Sequence, residues 1–283
     1  MIIKKDEYSV LLWLRGGIHM KLQKLHYTVE DGIAIVQLDY PKNLNAIDEE
    51  MADELLYVVQ AAEADESVKV VVFKGLPRAF SAGGDIGYFY QLIKAGGDVN
   101  MDGLIGKVGK VTDGLKKMSK MVIASVSGAA AGAGASLALT ADFIICSENA
   151  KFIMAFVNLG LVPDTGGSYL LVKQLGPKRA MDICATGRPV SAQEAKDLGI
   201  VYRIVSNESL DEETMKFAKK LASGPIISYK NIKRQIYAVA FAEYQHYLEN
   251  IEVPCQRECA RTKDFAEGVC AFMEKRRPHF TGQ

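Results

Sequence analysis

Hydrophobic residues along this chain fall into short apolar runs, separated by turn formers and interleaved with stripes at helical spacing. Residues 32–38 (GIAIVQL), 69–73 (KVVVF), 121–126 (MVIASV), 142–147 (DFIICS) and 200–205 (IVYRIV) predict strands. Each is too short for a helix and rich in β-branched residues, and continuous apolarity without alternation points to burial on both faces. Between the runs the period changes. Asp48-Glu49-Glu50 opens a predicted helix, with Asp48 as N-cap, acidic groups in the first turn and an apolar stripe of Met51, Leu55, Val58, Val59 and Ala62. Residues 86–118 predict a helix, a break at 95–98 (AGGD) and a resumed helical pattern from Met101 to Met118. Further helices are expected over 132–140 and 168–175, and after Ser191, where Ser191 and Glu194 form a capping box and Gly199 fits the C-terminal end. From Asp211 onward the pattern is helical to the end. Periodicity alone gives an α/β protein.

Two places break the pattern in the same way. Residues 127–136 (SGAAAGAGAS) follow the apolar run at 121–126, and residues 78–85 (RAFSAGGD) follow the one at 69–73. Both read as small-residue turns between a buried strand and a helix. At a helix start the first backbone N–H groups lack intrahelical partners and lie at the positive end of the dipole. Side chains this small let a substrate oxygen approach them. Two such turns can each aim one N–H at a single carbonyl oxygen and so form an oxyanion hole. Taken singly, either turn is better explained by close packing. Phosphate cradling is disfavoured, because the Gly/Ala run carries no GxxxxGK[ST] pattern.

Composition narrows the choice. The 283 residues suffice for a sizeable core, and 34 basic residues cancel 34 acidic ones, which removes a global footprint for nucleic acid. The five cysteines form no C-x-x-C pair, and the four histidines lie at no zinc-like spacing to them, so reduced thiols in a cytoplasmic protein and no metal are expected. No apolar run approaches the length of a membrane span. Lys230, Lys233 and Arg234 form a short basic cluster, read as a solvated helix face.

On these residues the chain resembles the crotonase family, the enoyl-CoA hydratase/isomerase superfamily. The matching segments are Asn45-Ala46, residues 78–86 (RAFSAGGDI), 127–139 (SGAAAGAGASLAL), 150–152 (AKF), 158–167 (NLGLVPDTGG) and 272–280 (FMEKRRPHF), in family order from about Met20 to the C-terminus. The resemblance implies a spiral of ββα repeats rather than a doubly wound sheet. It implies a core over residues 20–210 for acyl-CoA binding and catalysis, and a C-terminal helical region over 211–283 that builds trimers, often stacked as hexamers. Residues 1–19 are then an extension without chemistry. Coenzyme A enters as part of the substrate, and no further cofactor is implied.

The resemblance also assigns residues. The oxyanion-hole donors would be the N–H groups of Gly84 and Ala133. The backbone of Ala82, Gly84, Asp85, Ile86 and Gly87 would line the ligand, Phe156 would wall the acyl pocket, and Ser136 would donate to substrate or merely pack. Phe272 and Lys275 match tail positions that contact CoA in some relatives. The family's hydratases carry two glutamates, and the matching positions here are Ser136 and Phe156, neither a carboxylate. Asp164 stands instead in residues 162–167 (VPDTGG). There the chain is similar to the phenylacetate-pathway (PaaG-like) isomerase branch, in which this motif supplies the one catalytic carboxylate. Apolar Leu161, Val162 and Pro163 beside it would raise its pKa toward a value useful for a base; a turn cap is the other role such an Asp fills. The expected activity is a double-bond shift in an unsaturated acyl-CoA, with Asp164 carrying the proton. The alternatives are an enoyl-CoA hydratase using Asp164 plus a water, and a non-catalytic member that binds acyl-CoA or RNA.

Overall fold

The computed structural model describes residues 20–96 and 99–283; the expectation for residues 1–19 lies outside them. The chain begins with the hairpin β1 (Leu25–Glu30) and β2 (Ile33–Leu38), then α1 (Glu49–Ala64). Three strand pairs follow: β3 (Val70–Lys74) with β4 (Ala79–Ser81), then helices α2 (Ile86–Ala95) and α3 (Asp102–Lys117); β5 (Met121–Val126) with β6 (Ala129–Ala131), then α4 (Ala133–Thr140); and β7 (Phe143–Ser147) with β8 (Lys151–Ile153), then a 3₁₀ turn at Ala155–Leu159 and α5 (Gly167–Leu175). The remainder is α6 (Pro177–Thr186), β9 (Pro189–Ser191), α7 (Ala192–Asp197), β10 (Arg203–Val205), α8 (Leu210–Ala222), α9 (Ile226–Ala240), α10 (Tyr244–Tyr247), a π-helical turn at Leu248–Glu252, α11 (Val253–Ala260) and α12 (Lys263–Met273).

In each strand pair the first strand joins one sheet and the second joins another. The larger sheet runs β1-β2-β3-β5-β7-β10, and the smaller runs β4-β6-β8-β9. The strands at the middle of both sheets are parallel, with Val72 opposite Ile123 and Ala130 opposite Phe152. This is a spiral of ββα turns. The continuous apolar runs have their explanation here. Val71, Phe73 and Val122 face the main core, while Val70, Val72, Ile123 and Ile145 face a second core covered by Phe217 and Leu221 of α8. Each such side chain contributes roughly 1.5–3 kcal/mol by leaving water. α8 is thus the outer cover of the larger sheet.

Asp48 caps α1 as expected, accepting from Met51 N at 3.0 Å, an interaction typically worth about 1 kcal/mol. Four expectations need correction. The two small-residue turns each contain a short strand, β4 and β6, that builds the smaller sheet. The strand expected at 200–205 is reduced to Arg203–Val205, because the Ile200 and Val201 amides both bond to Ala195 O and close the end of α7. Only half of the capping box forms: Ser191 Oγ accepts from Glu194 N at 3.1 Å, but the Glu194 carboxylate turns to Arg188. Lys233 is not solvated. It is 4% exposed, paired with Asp142 at 2.9 Å and bonded to the carbonyls of Leu115 and Lys120. Among the described residues all five cysteines are free thiols, and no helix is long and apolar enough to cross a membrane.

Candidate active site

The spiral stacks the two small-residue turns against each other. After β4 the chain passes through Gly83 at φ +92°, where an added Cβ would fall 2.6 Å from Ala131 O and 3.3 Å from Gly132 Cα. No side chain fits there, so the turns meet backbone to backbone. Ile47 sets the direction of the first turn: its N–H donates to Gly83 O at 2.6 Å, and its carbonyl accepts from Asp85 N at 3.1 Å. That parallel bridge engages residues 83 and 85 on one side and turns the Gly84 N–H to the other. Asp85 closes the turn as N-cap of α2, accepting from Tyr88 N at 3.0 Å and Asn43 Nδ2 at 2.7 Å. In the second turn Gly132 N donates to Ile153 O at 2.8 Å, and Ala133 begins α4. Among the described residues, neither the Gly84 nor the Ala133 N–H donates to a protein acceptor.

A cavity of about 490 Å³ opens beside these turns. Ala82, Gly84, Asp85, Ile86, Gly87, Phe156 and Phe272, all expected at a ligand, line it, and so do Gly132 and Asp164. The structure thus brings the first turn, the start of the second and the late aspartate to one space. Ala133, Ser136 and Lys275 are not among its lining residues: Ala133 lies buried just behind Gly132. Ser136 is fully buried, its hydroxyl 3.4 Å from Gly132 O and packed against Gly167, so it fills space between α4 and α5. Lys275 follows the end of α12 and is exposed. A second cavity of about 510 Å³ lies between α3 and α9. There Lys116, pushed down to about 7 by burial, sits over the rings of Tyr237 and Phe241. This second cavity shares no lining residue with the first.

Asp164 belongs to a tight loop in which Thr165 has φ +58° and Gly166 φ +80°. The residue lines the cavity and is half-buried, and protein encloses its carboxyl group closely enough for desolvation to dominate. Oδ1 accepts from Thr165 Oγ1 at 2.8 Å and Oδ2 from Gln256 Nε2 at 3.0 Å. Burial pushes Asp164 up to about 6, and the two hydrogen bonds oppose the shift without cancelling it. A carboxylate with that proton affinity is ionised at neutral pH and close enough to it to return a proton.

Two residues of this site were not foreseen. Gln256, fully buried on α11, orients Asp164 directly. Glu252, 2% exposed, accepts the Gly166 N–H at 2.9 and 3.1 Å. Burial, and after it the charge on Asp164, push Glu252 up to about 9. Asp164 ionises first, so the repulsion between the two falls on Glu252. The available signal was the stripe Tyr244, Leu248, Glu252, Gln256 and Ala260, spaced by four, in which two polar residues share a face with apolar ones.

Comparison with known proteins adds three relatives and one family. A family model described as enoyl-CoA hydratase/isomerase matches residues 28–283. A trans-2-decenoyl-[acyl-carrier-protein] isomerase of Streptococcus mutans is 36% identical, over 93% of this chain and 100% of that protein. A 1,2-epoxyphenylacetyl-CoA isomerase of Escherichia coli is 35% identical, over 90% and 97%. The crystal structure of an enoyl-CoA hydratase from Mycobacterium avium subsp. paratuberculosis superposes with a TM-score of 0.83 at 30% identity, covering 92% of this chain and 99% of that one.

Proposed function

The chain belongs to the enoyl-CoA hydratase/isomerase family, and from that premise we propose that it is an isomerase, shifting the double bond of an unsaturated acyl thioester with Asp164 as sole proton carrier. The thioester oxygen lies between the N–H groups of Gly84 and Ala133. Loss of a proton beside the carbonyl places negative charge on that oxygen, and donors aimed there stabilise the enolate-like state more than the ground state. Asp164 takes the proton from one carbon and returns it to another two positions away, so no water is consumed. The observation that carries this reading is that, of the two aspartates on the cavity wall, Asp85 is engaged as N-cap of α2 and by Asn43, which leaves Asp164 to carry the proton. The positions where hydratases of the family carry glutamates hold Ser136, sealed in the core, and Phe156, an apolar wall. Hydration needs a water held and activated, a task that recruits a second carboxylate at the substrate. Glu252 does not fill that place, because it faces the Thr165–Gly166 backbone and not the cavity.

The substrate class is an acyl-CoA, with coenzyme A as its carrier and no further cofactor; a Δ3-enoyl chain and a ring-derived thioester both suit the apolar wall. The Streptococcus relative is named for an acyl-carrier-protein thioester, so that carrier belongs in the test beside CoA. A trimer or hexamer is part of the proposal, supported by the apolar residues Ile227, Ile236 and Val239 that α9 leaves exposed. The test is a panel of unsaturated acyl thioesters in D2O read by mass spectrometry. Isomerisation predicts a product of unchanged formula carrying exchanged deuterium. Conversion of crotonyl-CoA to the 3-hydroxyacyl product at comparable rate would favour a hydratase instead.

A further inference from the structure

If Asp164 is the base, as proposed above, then the residues that hold its loop acquire a function of their own. Thr165, the next residue, sits at φ +58°. A β-branched side chain adopts this left-handed conformation only where the surroundings enforce it, and such strain gathers at functional sites. The enforcing element is the stripe running from α10 through the π-helical turn into α11. Tyr244, Leu248, Glu252, Gln256 and Ala260 are all buried, and the two polar members both reach the loop. Glu252 accepts the Gly166 N–H with both carboxyl oxygens, at 3.1 and 2.9 Å. Gln256 donates to Asp164 Oδ2 and accepts from Val162 N at 3.2 Å. The Tyr244 ring closes the space beneath Gly166, where any Cβ would collide with it. Single-turn π-bulges in helices recur at functional sites, and a buried carboxyl is unfavourable unless its hydrogen bonds are made.

We propose that Glu252 is a positioning residue for Asp164: its buried carboxyl group clamps the left-handed Thr165–Gly166 backbone and so fixes the aim and the proton affinity of the base. The titratable groups around it are Asp164, the hydroxyls of Tyr244 and Tyr247, Glu249 on its own turn, and Lys110 and Asp113 of α3 across a small cavity. Held up to about 9, Glu252 is a neutral acid at neutral pH. It accepts the Gly166 N–H without setting a second negative charge beside the base.

The test uses the full chain, an unsaturated acyl-CoA and the variants Glu252→Ala, Glu252→Gln and Asp164→Asn. In Glu252→Ala, kcat is expected to fall about 10-fold or more while KM changes less than about 2-fold, and the acid limb of kcat/KM to move down by about half a pH unit or more as water reaches Asp164. Glu252→Gln, a neutral acceptor of the same size, is expected to restore most of the turnover and the position of the limb. A limb that stays in place in Glu252→Ala overturns the proposal whatever happens to kcat, and so does a Gln variant as impaired as the Ala variant. Should Glu252→Ala fail to fold, Glu252→Asp takes its place under the same criteria. Asp164→Asn separates the two levels. If it remains active, the base itself is misassigned; if it is dead while Glu252→Ala behaves as wild type, only the role of Glu252 falls.

Discussion

The two halves of the cavity are built by different means. The donor half is backbone: two turns of Gly, Ala and Ser, each drawn from one short stretch, meeting where Gly83 and Ala131 leave no room for a side chain. The base half is side chain: Glu252 reaches Gly166 across 86 residues of sequence, and Gln256 reaches Asp164 across 92. The first half is fixed by local conformation and the second by long-range burial. The first therefore tolerates almost no change of residue at its contact point. The second is tunable, because proton affinity follows from how completely the carboxyl is enclosed.

Asp164→Asn breaks the base half outright. The amide keeps the size of the side chain, and turnover should fall about 10³-fold or more with the folded structure retained, since in the proposed mechanism one group performs both proton transfers. Turnover with circular dichroism as the folding control checks this. Gly83→Ala breaks the donor half. Its methyl group is directed at Ala131 O and φ is +92°, so the two turns must part. Losing the aim of one donor should lower kcat about 10²-fold, with some loss of thermal stability, measured on the same preparation.

Legibility followed the same division. The Gly/Ala turns, the strands that precede them and the N-cap Asp48 could be read because the signal and the structure share one stretch. Strands β4 and β6 were hidden inside the turns: three residues of Ala, Phe and Ser carry no periodicity, and Ala129–Ala131 has the composition of a helix. Lys233 and Glu252 were opaque for another reason. A charged residue on a predicted helix reads as solvated until the partner elements are known, and those partners, Asp142 and the Gly166 amide, lie 91 and 86 residues away. The family resemblance supplied Asp164, but no local pattern gave what holds it.

Two further measurements sharpen the contrast. The proposed mechanism requires ionised Asp164, so kcat/KM should fall as pH drops through about 6, approaching tenfold per pH unit; a pH–rate profile with a stable substrate checks it. The smallest effect concerns stability. Glu252 binds its proton more tightly in the folded chain, at about 9, than in the unfolded one, at about 4.3. Its stabilising contribution is complete below the lower value and is lost as pH rises through the higher. Glu252→Gln lacks this dependence, so its stability relative to wild type should rise with pH across that window. Denaturant titrations at two pH values in the window test the sign.

The most direct test of a single aspartate working opposite two amides follows one hydrogen. A 3-enoyl-CoA deuterated at C2 is turned over in ordinary water and the early product analysed by position. If one carboxylate removes the proton and returns it, part of the label appears at C4 with the wild-type chain, and Asp164→Asn forms no product. Product bearing only solvent hydrogen at C4 from the first turnovers, or labelled product formed equally well by Asp164→Asn, would contradict the account.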